Sequence, residues 1–282
     1  VFVPGSGIAV DANGNALVID NANTTSQTLT LDLASFTTIA DNDPNNDFIR
    51  VSFRVQVLNV LDNVNDAVKV NTATFTTDHS PARTDTVDVR IIEPKLTIGK
   101  TNDASGPVDA GDIVTYSITV AHTTSSKAPA YAFAFRHPTP AGQRVVGIVS
   151  ARINGVDVTN QIGFDATGVF SVAGSNIDIP LGSTLTVVYQ VEMLDSVGPG
   201  QTLTNTVTGD WSSLDGEVNP GAINGERIGT PIPDANSYIT SAQNTIETAK
   251  TFEINKEVVG PDTQFTIGER VDYVIDLRVF EG

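Results

Sequence analysis

The 282-residue chain contains no cysteine. No disulfide can therefore staple it, and the absence fits both the cytosol and the many surface proteins that do without such bonds. It also removes thiolate nucleophiles and thiolate-bound metals. Histidine is nearly as scarce, since His79, His122 and His137 are the only three and none stands at zinc spacing from another. No Gly-x-Ser-x-Gly nucleophile elbow appears, so the familiar hydrolytic constellations are missing and the chain is not read as an enzyme. Basic residues are few, 16 against 33 acidic, and the net charge of −17 repels phosphate backbones and anionic lipid headgroups alike. Nucleic acid is not an expected partner. No run approaches the roughly 20 apolar residues of a membrane span, so direct membrane insertion is not expected in this segment. No charged-then-apolar leader precedes Val1, and any export signal or anchor is expected outside the sequence.

What is present points to strands. Hydrophobic residues make up 40% and charged residues 17%, enough to build real cores. Val, Ile, Leu and Ala alternate with Thr and Asn between turns rich in Gly, Asn and Asp, which favours short strands over helices. In "IVTYSITV", Val114, Tyr116, Ile118 and Val120 fall on one face and Thr115, Ser117 and Thr119 on the other. That period of two belongs to a half-buried strand. No capped stretch of helical period occurs. The expected class is all-β, two antiparallel sheets packed face to face.

The sequence repeats itself. "KLTIGKTNDASGPVDAGDIVTYSITV" from Lys95 is answered by "EINKEVVGPDTQFTIGERVDYVIDLRV" near the end, setting Lys100 against Lys256 and Gly111 against Gly268 at offsets of 156 and 157. "IRVSFRVQV" at 49–57 is answered by "LTVVYQVEM" at 185–193, pairing Phe53 with Tyr189. Asn71 follows Phe53 by 18 residues and Asn205 follows Tyr189 by 16, a loop-sized difference. Matching Pro4 with Pro140 completes the register and sets Val1 at about the place of His137. Residues 1–94 thus read as the back part of a repeat, 95–250 as a complete one, and 251–282 as the leading strands of a further one. Repetition at fixed spacing is the signature of an array. Two explanations fit the broken cycle. The chain is a window on a longer tandem protein, or residues 251–282 supply the leading strands that 1–94 lacks, within the molecule or in a neighbour. The window is preferred, because a lone strand pair is marginal in water.

In the central copy, "GDIVTYSITV", "TPAG", "GSTLTVVYQVEML", "GQTLTNTVTGDWSSLDG" and "NGERIGTPIPDANSY" follow one another in an order that resembles the conserved-repeat family known as domain of unknown function eleven. The resemblance covers most of 95–250. It implies tandem immunoglobulin-like β-sandwich domains in large bacterial or archaeal surface proteins, stalks and adhesin-like filaments, and it brings no enzymology. The chain departs from the family where the strand before "TPAG" usually carries an Asp. Phe135-Arg136-His137-Pro138 stands there instead.

Two chemistries have candidate residues. In pilin-type sandwiches a lysine on the leading strand can condense with an asparagine on a late strand, and Lys100 and Asn205 are the matching pair for such an isopeptide cross-link. The reaction needs a desolvated neutral amine, a carboxamide in contact with it and a protonated carboxyl between them. With histidine at 137, only Asp112 or Glu192 remain as acids, and the plainer reading is an exposed lysine and a turn-capping asparagine. The other chemistry is calcium. Asp11, Asn13 and Asn15 carry the alternate oxygens of a calcium loop's first half, but the twelfth position is Ala22. "DNDPNND" gathers Asp41, Asp43 and Asp47, and "LDNVND" gathers Asp62, Asn65 and Asp66, although metal-free Asx turns have the same composition. Trp211, the sole tryptophan, is read as a plug over the core edge rather than a sugar platform. Asn23-Thr24-Thr25 is a lone glycosylation sequon.

These readings converge on a structural segment of an extracellular or cell-surface repeat protein forming a stalk, fibre or filament. Its partners are neighbouring repeats or copies of itself, joined end to end or by strand donation. The alternative is an adhesin segment that binds glycan or protein, stiffened by calcium.

Overall fold

The computed structural model describes residues 1–20, 24–25, 27–33, 41–164, 170–171, 177–229, 237–249, 252–261 and 263–279. Ala22, Asn23 and Phe280 to Gly282 lie outside the described residues. Nineteen strands and two single-turn 3-10 helices, Pro44–Asn46 and Thr159–Gln161, make up the regular structure among them.

The N-terminal part contributes β1 (Ile8–Val10), β2 (Ile19–Asp20), β3 (Asp32–Leu33), β4 (Arg50–Ser52), β5 (Val68–Thr77) and β6 (Ser80–Arg90). They pair as three separate two-stranded ladders, β1 with β4, β2 with β3 and β5 with β6. The repeat pattern predicts the back of a sandwich here. Among the described residues these ladders pack no second sheet against them, and Phe53, the counterpart of Tyr189, is 42% exposed.

The central unit is a closed sandwich. Its strands are β7 (Leu96–Asn102), β8 (Ile113–His122), β9 (Ala130–Arg136), β10 (Gln143–Ile153), β11 (Val156–Asp157), β12 (Gly163–Phe164), β13 (Phe170–Ser171), β14 (Ile177–Ile179), β15 (Thr184–Met193), β16 (Thr202–Ser212) and β17 (Ile239–Glu247). One sheet has the order β11-β10-β15-β8-β7 and the facing one β14-β9-β16-β17, every pair antiparallel. The period-two reading of β8 holds, with Val114, Tyr116, Ile118 and Val120 buried, and β15 likewise buries Leu185, Val187, Tyr189 and Val191. Facing them are Phe133 and Phe135 of β9 and Leu203, Asn205 and Val207 of β16. Tyr116 and Tyr189, directly opposite in the ladder, stack with ring centroids 5.4 Å apart. Trp211 is buried against Tyr238, as a structural plug should be. Gly209 on β16 leaves no room for a side chain. A Cβ there would stand 2.6 Å from Ile98 Cδ1 and 2.8 Å from Phe133 Cε2, so no larger residue fits without displacing the core.

The last pair, β18 (Phe252–Val258) and β19 (Tyr273–Val279), repeats β7 and β8 in the same register. Lys256 faces Ile275 as Lys100 faces Ile118, and Ile254 faces Leu277 as Ile98 faces Val120. Gly111 and Gly268, aligned in sequence, both hold the left-handed backbone, φ +85° and +99°, that glycine adopts without steric cost. The difference is cover. Tyr116, Ile118 and Val120 are sealed, whereas Tyr273, Ile275 and Leu277 are 55%, 57% and 60% exposed.

The N-terminal part and the central unit meet at a polar joint. Arg227 is buried there, donating from Nε to Asn59 Oδ1 at 2.9 Å and from Nη2 to the Val60 carbonyl at 2.9 Å, while Nη1 pairs with Glu93. Tyr238 donates to the same Glu93 oxygen at 3.0 Å, and the Asn59 amide donates to the Ile223 carbonyl at 2.8 Å. The "GERIG…NSY" excursion of the central copy therefore grips the chain on both sides of the N-terminal hairpin.

Candidate functional site

The interior of the central unit holds a polar cluster that a sandwich core does not need for packing. β7 runs along the sheet edge with Leu96, Ile98 and Lys100 inward and Thr97, Gly99 and Thr101 outward. Alternation alone thus drives the Lys100 stem inward. From the facing sheet, β16 turns Asn205 inward between Leu203 and Val207. Lys100 is 7% exposed and Asn205 is fully enclosed, so the simpler expectation of an exposed lysine and a turn-capping asparagine is replaced by a buried pair.

The two meet. Lys100 Nζ lies 2.5 Å from Asn205 Oδ1 and 2.5 Å from His137 Nε2. Tyr189 Oη lies 2.7 Å from the same His137 nitrogen, and Asn205 Nδ2 donates to Gln143 Oε1 at 3.2 Å. The lysine nitrogen sits over the rings of Tyr116 and Tyr189, 4.9 Å and 5.5 Å from their centroids. Burial pushes the Lys100 amine down from 10.5 to about 7, so it holds a substantial neutral fraction at physiological pH. Burial also lowers His137, to about 3, with the positive charge of Lys100 acting in the same direction. The phenols of Tyr116 and Tyr189 are pushed upward by burial and stay protonated.

Sequence reasoning found the pair but not the group between them. His137 follows the last residue of β9 and precedes Pro138, and it reads as the loss of an expected acid. The structure turns it inward, completely buried, at the point where the amine and amide meet. The two acids named as substitutes are elsewhere. Asp112 accepts from the Asp109 amide in the turn before β8, and Glu192 pairs with Arg144 on the outer face of β10 and β15.

The calcium candidates are placed differently from the expectation. Asp11 Oδ1 accepts from the amides of Asn13 and Asn15 while Oδ2 accepts from the Asn15 side chain. Those bonds hold its carboxyl below the usual carboxylate range. Asp41 accepts from the Asp43 amide and the Asn46 side chain, and Asp43 caps the 3-10 turn by accepting from Asn45; Asp47 is that turn's C-cap. Asn65 accepts from the Glu93 amide and donates to Ser125, Asp66 pairs with Arg90, and the Asp62 carbonyl accepts from Lys69. Among the described residues no three or more acidic, histidine or cysteine side chains are grouped to hold a metal ion. Asp11, Asp41 and Asp43 spend carboxylate oxygens on their own turns, and Asn65 accepts from the Glu93 amide.

Fold and interior together define the class, an all-β chain with an immunoglobulin-like antiparallel sandwich at its centre. No family model and no curated protein matches the sequence. Among solved structures it is similar to BcpA, the major pilin subunit of Bacillus cereus, at 11% identity over 89% of this chain and 65% of that one, with a TM-score of 0.38. It is also similar to domains D2 and D3 of the major pilin SpaD from Corynebacterium diphtheriae, at 13% identity over 57% of this chain and 54% of that one, TM-score 0.32. The collagen-binding domain of a Staphylococcus aureus adhesin matches at 12% identity over 54% of this chain and 97% of the domain, TM-score 0.31. The chain thus spans 65% and 54% of the two pilin chains. Among the described residues no helix is long and apolar enough to cross a membrane.

Proposed function

We propose that the chain is a structural segment of a cell-surface stalk or fibre built from tandem immunoglobulin-like units, and that its central unit is locked from within by an amide bond between Lys100 and Asn205. The observation that carries this reading is the buried contact of Lys100 Nζ with Asn205 Oδ1 at 2.5 Å. It joins the leading strand of one sheet to a central strand of the other. Tension along a tandem chain enters the unit beside β7 and leaves beside β17, so it tends to shear the sheets apart, and a covalent tie between β7 and β16 opposes that motion. A desolvated amine and a carboxamide in contact are the reactants for such a tie, which forms with loss of ammonia. The intact mass of the purified chain is the test. It is expected to be about 17 Da below the sequence mass, one ammonia, with the deficit absent from Lys100→Arg and Asn205→Ala. A wild-type mass equal to the sequence mass rules the bond out.

End-to-end assembly is the second part of the reading. The bare face of β18 and β19 copies one that the central unit seals, and the back part that would seal it is present in this chain as residues 1–94. On the strand-donation reading of the broken cycle, the occupant is a second copy. The 282-residue chain is expected to show concentration-dependent head-to-tail association by sedimentation, and Ile254→Asp with Leu277→Asp is expected to abolish it. A wild-type chain that stays monomeric at every concentration refutes this mode of assembly while leaving the internal bond untouched.

A further inference from the structure

We propose that His137 is the catalytic residue of the Lys100–Asn205 condensation, a proton carrier standing where a carboxylic acid would otherwise serve. The inference rests on the cross-link proposed above and assigns its chemistry.

The position is the first argument. His137 Nε2 lies 2.5 Å from the nucleophilic nitrogen and 2.7 Å from Tyr189 Oη. Amine and phenol both bring hydrogens to that one ring nitrogen, so the tautomer that satisfies both leaves Nε2 as the acceptor. Exclusion is the second argument. The only buried carboxylates among the described residues are Glu93 and Glu226. Glu93 is held by Arg227 and Tyr238 at the joint, and Glu226 is the neighbour of Arg227 in the excursion. Neither hydrogen-bonds to Lys100 or Asn205. The groups facing the histidine are Lys100 from β7, Tyr189 from β15 and Asn205 from β16.

The step balances without any further reactant. The lone pair of neutral Lys100 Nζ attacks Asn205 Cγ, and the carbonyl π pair moves onto Oδ1. His137 Nε2 takes a proton from the attacking nitrogen and gives it to Asn205 Nδ2. The Cγ–Nδ2 bond breaks, ammonia leaves, the carbonyl re-forms and the imidazole returns to its neutral state. The Tyr116 hydroxyl, buried without a hydrogen-bond partner, lies beside the side chains of Asn205 and Gln143. A ring kept neutral by its surroundings is a base in the resting site and becomes a strong acid once protonated, which suits the return of the proton to a leaving nitrogen.

The repeat supplies an internal contrast. In residues 1–94 the counterparts of His137 and Tyr189 are Val1 and Phe53. A hairpin carrying Lys256 that docks on that part of another copy meets Asn71 without a proton carrier, so copies joined that way should separate in hot detergent.

The test compares the full chain with His137→Asp, His137→Asn and His137→Gln, following intact mass from the time of synthesis, with folding checked by near-ultraviolet circular dichroism of the buried aromatics. Asp and Asn have nearly the same shape and differ in their ability to carry a proton. The Asp variant is expected to lose ammonia, while the Asn and Gln variants fold yet lose it at least about 100-fold more slowly, the ordinary worth of general acid–base catalysis. Ammonia loss by Asn or Gln variants at the wild-type rate, an Asp variant as slow as the Asn variant, or detergent-resistant wild-type multimers would each overturn the assignment. A wild-type chain with no mass deficit would instead overturn the cross-link itself.

Discussion

Asn205→Ala is expected to unfold at markedly lower denaturant concentration than the wild-type chain and, unlike it, to gain stability as the pH is raised above 7. The first effect follows from topology. The proposed bond closes a loop of 105 residues, and the loop-entropy relation used for disulfides gives about 4.7 kcal/mol for a closure of that length. The second effect follows from the lysine. Its folded pKa is depressed from 10.5 to about 7 by burial. Between those values the unfolded chain binds a proton that the folded chain has shed, so folding stability rises with pH across the window. Below about 7 both states hold the proton, the slope vanishes and the full penalty of burying the charge remains. A lysine converted to an amide has no such proton, so the wild-type chain is expected to be flat over the same range. His137, depressed from 6.5 to about 3, titrates below the window. The raised phenols of Tyr116 and Tyr189 act in the opposite direction near and above pH 10, which confines the comparison to about pH 7 to 9.5. Urea midpoints of the two proteins at three values in that range are the measurement. Equal slopes would mean that the wild-type lysine is still a free amine.

Most of the sandwich is legible in the sequence because its signal is local. Period-two alternation in 113–120 and 184–193 marks strands whose every second residue is buried, and repetition of the pattern locates the unit. The pairing of Lys100 with Asn205 enters only by analogy with pilin-type sandwiches, and the plainer reading of an exposed lysine gives way to the inward faces on which their strands place both residues. His137 is not, because its role depends on where the chain turns after β9 and on the ring of Tyr189, 52 residues away. Nothing in "FRHPTP" distinguishes an inward histidine from a turn residue. In the N-terminal part the residues match the back of the central unit, and Val68–Thr77 pairs in an exposed hairpin, since a sheet buries its apolar side only against a facing one. The acidic clusters are ambiguous in sequence for a related reason: Asx side chains spaced to reach a cation are equally well spaced to accept nearby backbone amides, as Asp11, Asp41 and Asp43 do.

The joint is where the excursion 213–238 has its consequence, and Arg227→Met is expected to be among the most damaging single changes in the chain. The guanidinium bonds through all three nitrogens, to Asn59, Val60 and Glu93, and both charged side chains are nearly sealed, 6% and 7% exposed. Removing the arginine leaves the Glu93 carboxylate buried without the Arg227 charge, while the Tyr238 hydroxyl still donates to it. An uncompensated charge of that kind costs about 3 to 5 kcal/mol. The pair itself is worth much less than its rupture, because desolvating both ions offsets their attraction. Arg227→Met combined with Glu93→Gln is therefore expected to recover most of the lost stability, a non-additivity that a double-mutant cycle in urea resolves. Recovery of stability is not recovery of the joint. Methionine cannot donate to Asn59 and Val60, so the backbone of 58–61 loses its anchor in the double variant. Hydrogen exchange at the Asn59 amide, which donates to Ile223 across the joint, should be fast in both variants and slow in the wild type. If the double variant instead protects that amide as the wild type does, the joint holds without Arg227, which then contributes only charge balance.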